Sequence, residues 1–529
     1  TSSETIQTPS GNDVVFKSGG AALHNDGRVV TYAGSGNTWT AKYTTHASDT
    51  DGNVTFTIDF DDLAGNNIGA ASAGVTSGGN ITFDDTKPTI TGTTTINSAN
   101  SLVTVTFAED VYNATGGSGD LQAADFALSI SGGVATIGSA TPTSIVKTSQ
   151  TVWVLGFSTS GIANGNESIE VVPVLNSIYD QAGNAAATSQ SSNTATLNEK
   201  VLPIITGTTI NSANSLLTVT FAENVYKANN GAGNLEEGDF ALSISGSGGV
   251  ATIGSATPTS IVKTSQTVWV LGFSTSGIAN GSETISVVPA AGNSIYDAAA
   301  NAAATSQSNN TVALNDKTPP TRNTATISSN NSPAAVAKAG SEVTLSFTSS
   351  ETIQTPSGND VVFKSGGAAL HNDGRVVTYA GSGNTWTAKY TTHASDTDGN
   401  VTFTIDFDDL AGNNIGAASA GVTSGGNITF DDTKPTITGT TTINSANSLV
   451  TVTFAEDVYN ATGGSGDLQA ADFALSISGG VATIGSATPT SIVKTSQTVW
   501  VLGFSTSGIA NGSETISVVP VSNSIYDQA

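Results

Sequence analysis

The sequence predicts an all-β protein, a tandem array of immunoglobulin-like antiparallel β-sandwich modules in an extended rod. Three observations predict it: nested internal repeats, short runs that alternate apolar and polar residues, and turn-forming clusters between those runs. Residues 1–182 return as 348–529, a shift of 347, with four differences: Asn166/Ser513, Ser168/Thr515, Glu170/Ser517 and Leu175/Ser522. An enzyme has one active site to preserve and no use for a near-identical second copy, so the duplication points to length or multivalency. Internal periodicity comes first because it decides what the folding unit is. TVTFAEDVY (104–112) recurs as TVTFAENVY (218–226), and residues 134–165 recur unchanged as 250–281. This shorter repeat is unit B. Residues 1–85 and 318–432 share a second pattern, unit A. The chain then divides into 1–85 (A, lacking its first part), 86–200 (B), 201–317 (B), 318–432 (A) and 433–529 (B, lacking its last part), and reads as a window on a longer repetitive protein.

The elements follow in chain order. Residues 54–60 (VTFTIDF) alternate apolar and polar, which is the period of a half-buried strand. The cluster 97–101 (NSANS) is a turn, and 102–107 (LVTVTF) is the next alternating strand. A glycine-rich turn at 113–120 leads to 121–126 (LQAADF), long enough for one short helical turn, and 168–172 (SIEVV) is a further strand rich in branched residues. Many short strands in a unit of this size are the pattern of an antiparallel sandwich. Each module carries one tryptophan in strand-like context: Trp39, Trp153, Trp269, Trp386 and Trp500. A core anchor is the expected role, since aromatics dominate core burial, with a row of sugar-binding platforms as the alternative.

Composition narrows the function. With no cysteine, neither disulfides nor a thiol site is available. A net charge of −26 argues against nucleic acid and anionic lipid, both of which select basic surfaces, and no apolar run is long enough to insert in a membrane. Catalysis finds little support: the histidines are His24, His46, His371 and His393, and no nucleophile-elbow, phosphate-loop or zinc-ligand pattern accompanies them.

Unit B, with VTVTFAEDVY (103–112), DLQAADFALSI (120–130), TVWVLGF (151–157), GIANGNESIEVVPV (161–174) and YDQAGNAAA (179–187), resembles the bacterial Ig-like repeats of large surface proteins, including the type named after the swimming-motility protein SwmB. Unit A, with GSEVTLSFTSSETI (340–353), DTDGNVTFTIDFDDLAGNN (49–67) and ITFDDTKP (81–88), resembles a second Ig-like type of giant adhesins. The resemblance implies extracellular display at a cell surface, as stalk or filament. It identifies no partner: the expected one is an unknown surface ligand, glycan or protein, or other copies of the chain. A self-assembling sheath or surface-layer subunit and a carbohydrate-binding array are the alternatives.

The acidic motifs are placed by topology. In a seven-stranded sandwich the loop after the second strand and the loop between the sixth and seventh lie at the pole where the chain enters, where the linker from the preceding module also arrives. In the first B module the linker supplies Asp84 and Asp85, the end of the second strand Glu109, and the last loop Asp180 and Asn184. Carboxylates gathered at one place repel unless a hard cation with six to eight oxygen ligands neutralises them, so calcium is the expected cofactor. The other reading is that these residues only form turns. The later junctions offer Glu199, Glu223 and Asp297, then Asp316, Glu351, Asp409 and Asn413, then Asp431, Asp432, Glu456 and Asp527. Ala300 stands where other copies have glycine, so its loop is expected to bend differently. Residues 49–53 (DTDGN) resemble the start of a calcium loop but lack its later glycine and glutamate, and read as a hairpin turn. Linkers stiffened by Pro88, Pro203, Pro319, Pro320 and Pro435 predict a rod approaching roughly 200 Å.

Overall fold

The structure is a computed structural model that describes residues 1–23, 27–69, 71–72, 78–370, 374–416, 418–419 and 421–529. His24 and His371 lie outside the described residues. In the first B module, strands run over Ile90–Ile96, Leu102–Phe107, Phe126–Ser131, Ser144–Lys147, Val152–Gly156, Ser168–Pro173 and Thr194–Thr196. The fourth, fifth, second and first pair in that order in one sheet; the third, sixth and seventh form the other. Every pairing is antiparallel. That order across two sheets is the constant-type immunoglobulin sandwich. Residues 201–317 repeat it strand for strand. In 433–529 the same four-stranded sheet faces a two-stranded antiparallel sheet of Phe473–Ser478 with Thr515–Pro520.

The second A unit uses a related order. One sheet holds Arg322–Ser329, Glu342–Ser349, Thr385–Thr391 and Thr378–Ser382. The other holds Gly399–Ile405, Val361–Ser365 and Ile428–Phe430, extended by Val336–Ala337 running parallel to the last strand. Residues 1–85 contain the strands from Val14–Ser18 onward, so their two sheets lack the opening strands that fill the core of 318–432.

Alternation in the sequence becomes alternation in burial. Along Leu102–Phe107, Val103, Val105 and Phe107 are buried while Leu102, Thr104 and Thr106 face outward. Each such aliphatic or aromatic side chain contributes about 1.5–3 kcal/mol on full burial. Four tryptophans lie inside: Trp153, Trp269 and Trp500 are 1% exposed and Trp386 is 6%. Trp153 donates from Nε1 to the Gln150 carbonyl at 3.2 Å, and the Lys147 ammonium sits 5.7 Å from its ring centroid. Its faces are covered, so it offers no platform to a sugar. Trp39 is only half-buried, because Phe347 and its neighbours have no counterpart in residues 1–85. The expected short turn is a 3₁₀ turn over Ala123–Asp125, closed by the Gln122 amide donating to Asp125 at 2.7 Å.

Candidate metal centre at the module junctions

The three segments that topology brings to the entering pole do meet there. One carboxylate oxygen from each of Asp84, Glu109 and Asp180 lies within 4.8 Å of the others, and the same holds for Glu199, Glu223 and Asp297 and for Asp316, Glu351 and Asp409. In each set the aspartate from the last loop is buried, Asp180 being 0% exposed and Asp297 and Asp409 1%.

That aspartate is held by its own loop. At 180–184, Oδ1 of Asp180 accepts from the amides of Gly183 (2.6 Å) and Asn184 (2.8 Å), and Oδ2 accepts from Asn184 Nδ2 at 2.7 Å. Asn413 grips Asp409 at 2.9 and 2.7 Å, and Asn301 grips Asp297 at 2.8 and 2.8 Å. In the first A unit, hydrogen bonds from Asn66 hold the Asp62 carboxyl below the usual carboxylate range. Asn184 therefore acts as a donor that aims Asp180, and its Nδ2 also holds the Asp84 carbonyl at 2.9 Å.

Two of the residues singled out stand apart from the clusters. Asp85 is exposed, and its backbone amide donates to Asp51 Oδ1 at 2.9 Å. Asp432 turns back toward the A unit and accepts from the Ala339 amide at 3.0 Å. Asp431, Glu456 and Asp527 are neighbours at the last junction without the close approach of the other three sets. The Ala300 loop does not bend differently. Ala300 takes φ +72° where Gly183 has +97°, and the closing bond from the Asp297 amide to the Asn301 carbonyl is 3.0 Å against 3.2 Å. The grip of Asn301 on Asp297 forces an alanine into a left-handed conformation that glycine adopts freely.

Sequence reasoning missed Asp51 and its copy Asp398. They sit on the DTDGN turns at the far pole of each A unit and reach across to the next junction. Asp51 Oδ2 accepts from the Thr86 hydroxyl, as Asp398 does from Thr433. The hydroxyl of Thr86, then the amide of Asp85, hold Asp51 below the usual carboxylate range. The neighbouring Asp49 is instead engaged by Arg28 at 2.9 Å, so the turn binds two partners at once and is no calcium loop of its own. Sequence also passed over Glu167. Fully buried, it accepts from the amides of Val134 (2.8 Å), Ala135 (2.9 Å) and Asn164 (3.0 Å). Those bonds outweigh burial and hold its carboxyl at about 2.

The clustered glutamates go the other way. Burial first, then the charges of Asp180 and Asp84, push Glu109 up to about 7. Burial, then Asp297 and Glu199, push Glu223 up to about 7, and burial, then Asp431 and Asp527, do the same to Glu456. Glu351 is raised by burial and by Asp316. The three oxygens lie within 4.8 Å of one another, at most about twice a calcium–oxygen bond, so a single ion among them faces all three carboxylates, and the donor set is the hard-oxygen kind that calcium selects.

No protein-family profile matches the chain, and no curated protein does. Among solved structures, a pair of tandem immunoglobulin domains of titin is similar at 10% identity, with a TM-score of 0.14, over 38% of this chain and 95% of that one. The BSP domain of a biofilm-associated protein is similar at 9% identity, with a TM-score of 0.16, over 82% of this chain and 95% of that one. Likenesses at these scores decide nothing, and the sandwich assignment rests on strand order. No helix among the described residues is long and apolar enough to cross a membrane.

Proposed function

We propose that this chain is part of the extended, structural region of a bacterial cell-surface adhesin or filament, outside the cell, with its module joints stiffened by calcium. One observation carries the reading: the same carboxylate triad recurs at three successive junctions, built each time from the linker, the end of the second strand and the last loop. A stalk must transmit length, and length survives only if the joints do not fold back. A cation between two modules turns a repulsive cluster into a bridge, and binding to the ordered joint alone stabilises it by mass action. The partner the array meets is a glycan, a protein or other copies of itself.

Titration calorimetry on the calcium-stripped chain tests the ion. Binding at millimolar calcium or below is expected, with a rise in melting temperature that EDTA reverses. Magnesium should substitute poorly because it demands a tighter octahedron. Asp180→Asn with Glu109→Gln should remove one site and leave the others. No heat of binding and no change of melting in EDTA would leave the clusters as turn-forming surface.

A further inference from the structure

The two kinds of module hold the outgoing chain with different chemistry. Behind each complete B module, the turn between its first two strands closes on the linker through asparagines alone. Asn100 donates from Nδ2 to the Asn198 carbonyl at 2.7 Å, and its Oδ1 accepts from the Asn198 amide at 2.9 Å and from Asn198 Nδ2 at 2.9 Å. Asn198 Nδ2 also reaches the Asn97 carbonyl at 3.0 Å. The next B module repeats the arrangement: Asn214 Nδ2 to the Asn315 carbonyl at 2.7 Å, Asn214 Oδ1 from the Asn315 amide at 2.9 Å, and Asn315 Nδ2 to the Asn211 carbonyl at 3.0 Å. Asn100 and Asn214 are 5% and 7% exposed and take left-handed backbone at φ +53°, a conformation asparagine tolerates. A second bond follows at once, from the Lys200 amide to the Ala163 carbonyl and from the Lys317 amide to the Ala279 carbonyl, both 2.8 Å.

The downstream module takes hold almost immediately. Past the joint at 317–318, the Thr321 amide donates to the Ser350 hydroxyl at 2.8 Å, so only Pro319 and the buried Pro320 separate hydrogen-bonded Thr318 from hydrogen-bonded Thr321. In the B-to-B joint, Asn301 Nδ2 holds the Glu199 carbonyl at 3.3 Å, and the Ala222 amide bonds the Ile204 carbonyl at 2.9 Å. Asn198 is thus tied to one module while Glu199, its neighbour, is tied to the next.

Among the described residues, no asparagine of an A unit clasps that unit's own outgoing chain. The outgoing chain is held by Asp51, and in the second copy by Asp398, through the amides of Asp85 (2.9 Å) and Asp432 (3.0 Å). That clasp is itself a carboxylate, placed where its charge adds to those of Asp84 and Glu109 in one joint and of Asp431 and Glu456 in the other.

We propose that the array has two kinds of joint: those that follow a B module keep their order without an ion, because asparagines clasp the outgoing chain, whereas those that follow an A module are clasped by a carboxylate whose charge adds to the neighbouring acidic cluster, and become rigid only when a cation neutralises that cluster. The first half stands without the calcium reading; the second rests on it. Calcium binding at the B-to-B and B-to-A triads then adds stability to joints already ordered, whereas at the A-to-B joint it supplies the order itself.

The chain has no cysteine, so spin labels can be placed in pairs at exposed threonines: Thr141 with Thr257 across the B-to-B joint, Thr257 with Thr378 across the B-to-A joint, and Thr31 with Thr141 across the A-to-B joint that carries the Asp84, Glu109 and Asp180 triad. Pulsed dipolar distances in EDTA are expected to be narrow for the first two pairs and broad for the third, and calcium should narrow only the third. Asn214→Gly keeps the left-handed backbone while removing the clasp, and Asn315→Ala removes it from the other side. Both should broaden the second pair in EDTA while module melting stays in place. Equal broadening of all three pairs in EDTA, or narrow distances in both clasp variants, would overturn the asparagine clasp. A third pair that is narrow in EDTA, or that calcium leaves broad, would overturn the cation-dependent joint and leave the clasp standing.

Discussion

A single backbone angle carries a measurable cost in the second B module. Ala300 sits at φ +72°, where an L side chain crowds its own carbonyl, while Gly183 fills the matching position of the first B module without that penalty. Ala300→Gly should therefore stabilise residues 201–317 by about 1 kcal/mol, and Gly183→Ala should destabilise residues 86–200 by a similar amount. The reciprocal pair is informative because a β-carbon at Gly183 meets nothing closer than 3.6 Å, so strain and not collision is what the substitution tests. Denaturant midpoints of the two modules, which should move in opposite directions, provide the check. Glu167 shows the same dependence on local bonding. Its carboxylate, held at about 2 by backbone amides, supports the fold at any pH above its unfolded value and withdraws that support only as pH falls toward 2.

At the scale of loops and linkers, the glutamates of the triads have the opposite sign. Glu109 has an ordinary value of 4.5 and is pushed to about 7 in the joint. A raised acid binds its proton more tightly in the ordered state, so in the absence of metal the joint is favoured at low pH and loses stability as pH rises from 4.5 to about 7. Calcium selects the ionised form and should cancel that loss. In EDTA, melting temperature is expected to fall between pH 5 and 7.5, with Glu109→Gln removing the first joint's share; a flat profile in the wild-type chain would contradict the clustering. The triads were legible in the sequence because strand direction alternates, which sends the loops after the second and sixth strands to one pole whatever the side chains do. Asp51 was not legible, since it belongs to the preceding module and its DTDGN stretch carries a complete local explanation as a turn. The asparagine clasp was hidden for the same reason: NSANS at 97–101 satisfies every rule for a turn, and its second partner lies 98 residues on.

Across the whole chain, the four apolar cores of the described residues are separate clusters, one running from Ile90 to Leu197, one from Ile205 to Leu314, one from Ala325 to Phe430 and one from Val450 to Phe504. No buried aromatic is shared between them, and what joins them is hydrogen bonding and charge at the linkers, with the Lys338 ammonium also donating to the Ala529 carbonyl at 3.3 Å across the last joint. Stability in such an array is close to a sum of module terms plus nearest-neighbour interface terms. Trp153→Ala removes a side chain that is 1% exposed and sits between its two sheets, and should cost its own module about 3–5 kcal/mol. Two joints away, the core around Trp386 should not respond. Calorimetry of the variant is expected to show one transition shifted down and the rest in place, with hydrogen exchange assigning the loss to residues 86–200. If the whole chain melted earlier as one cooperative unit, the joints would have to carry energy comparable to the cores, and the clasps and triads would be part of a continuous fold.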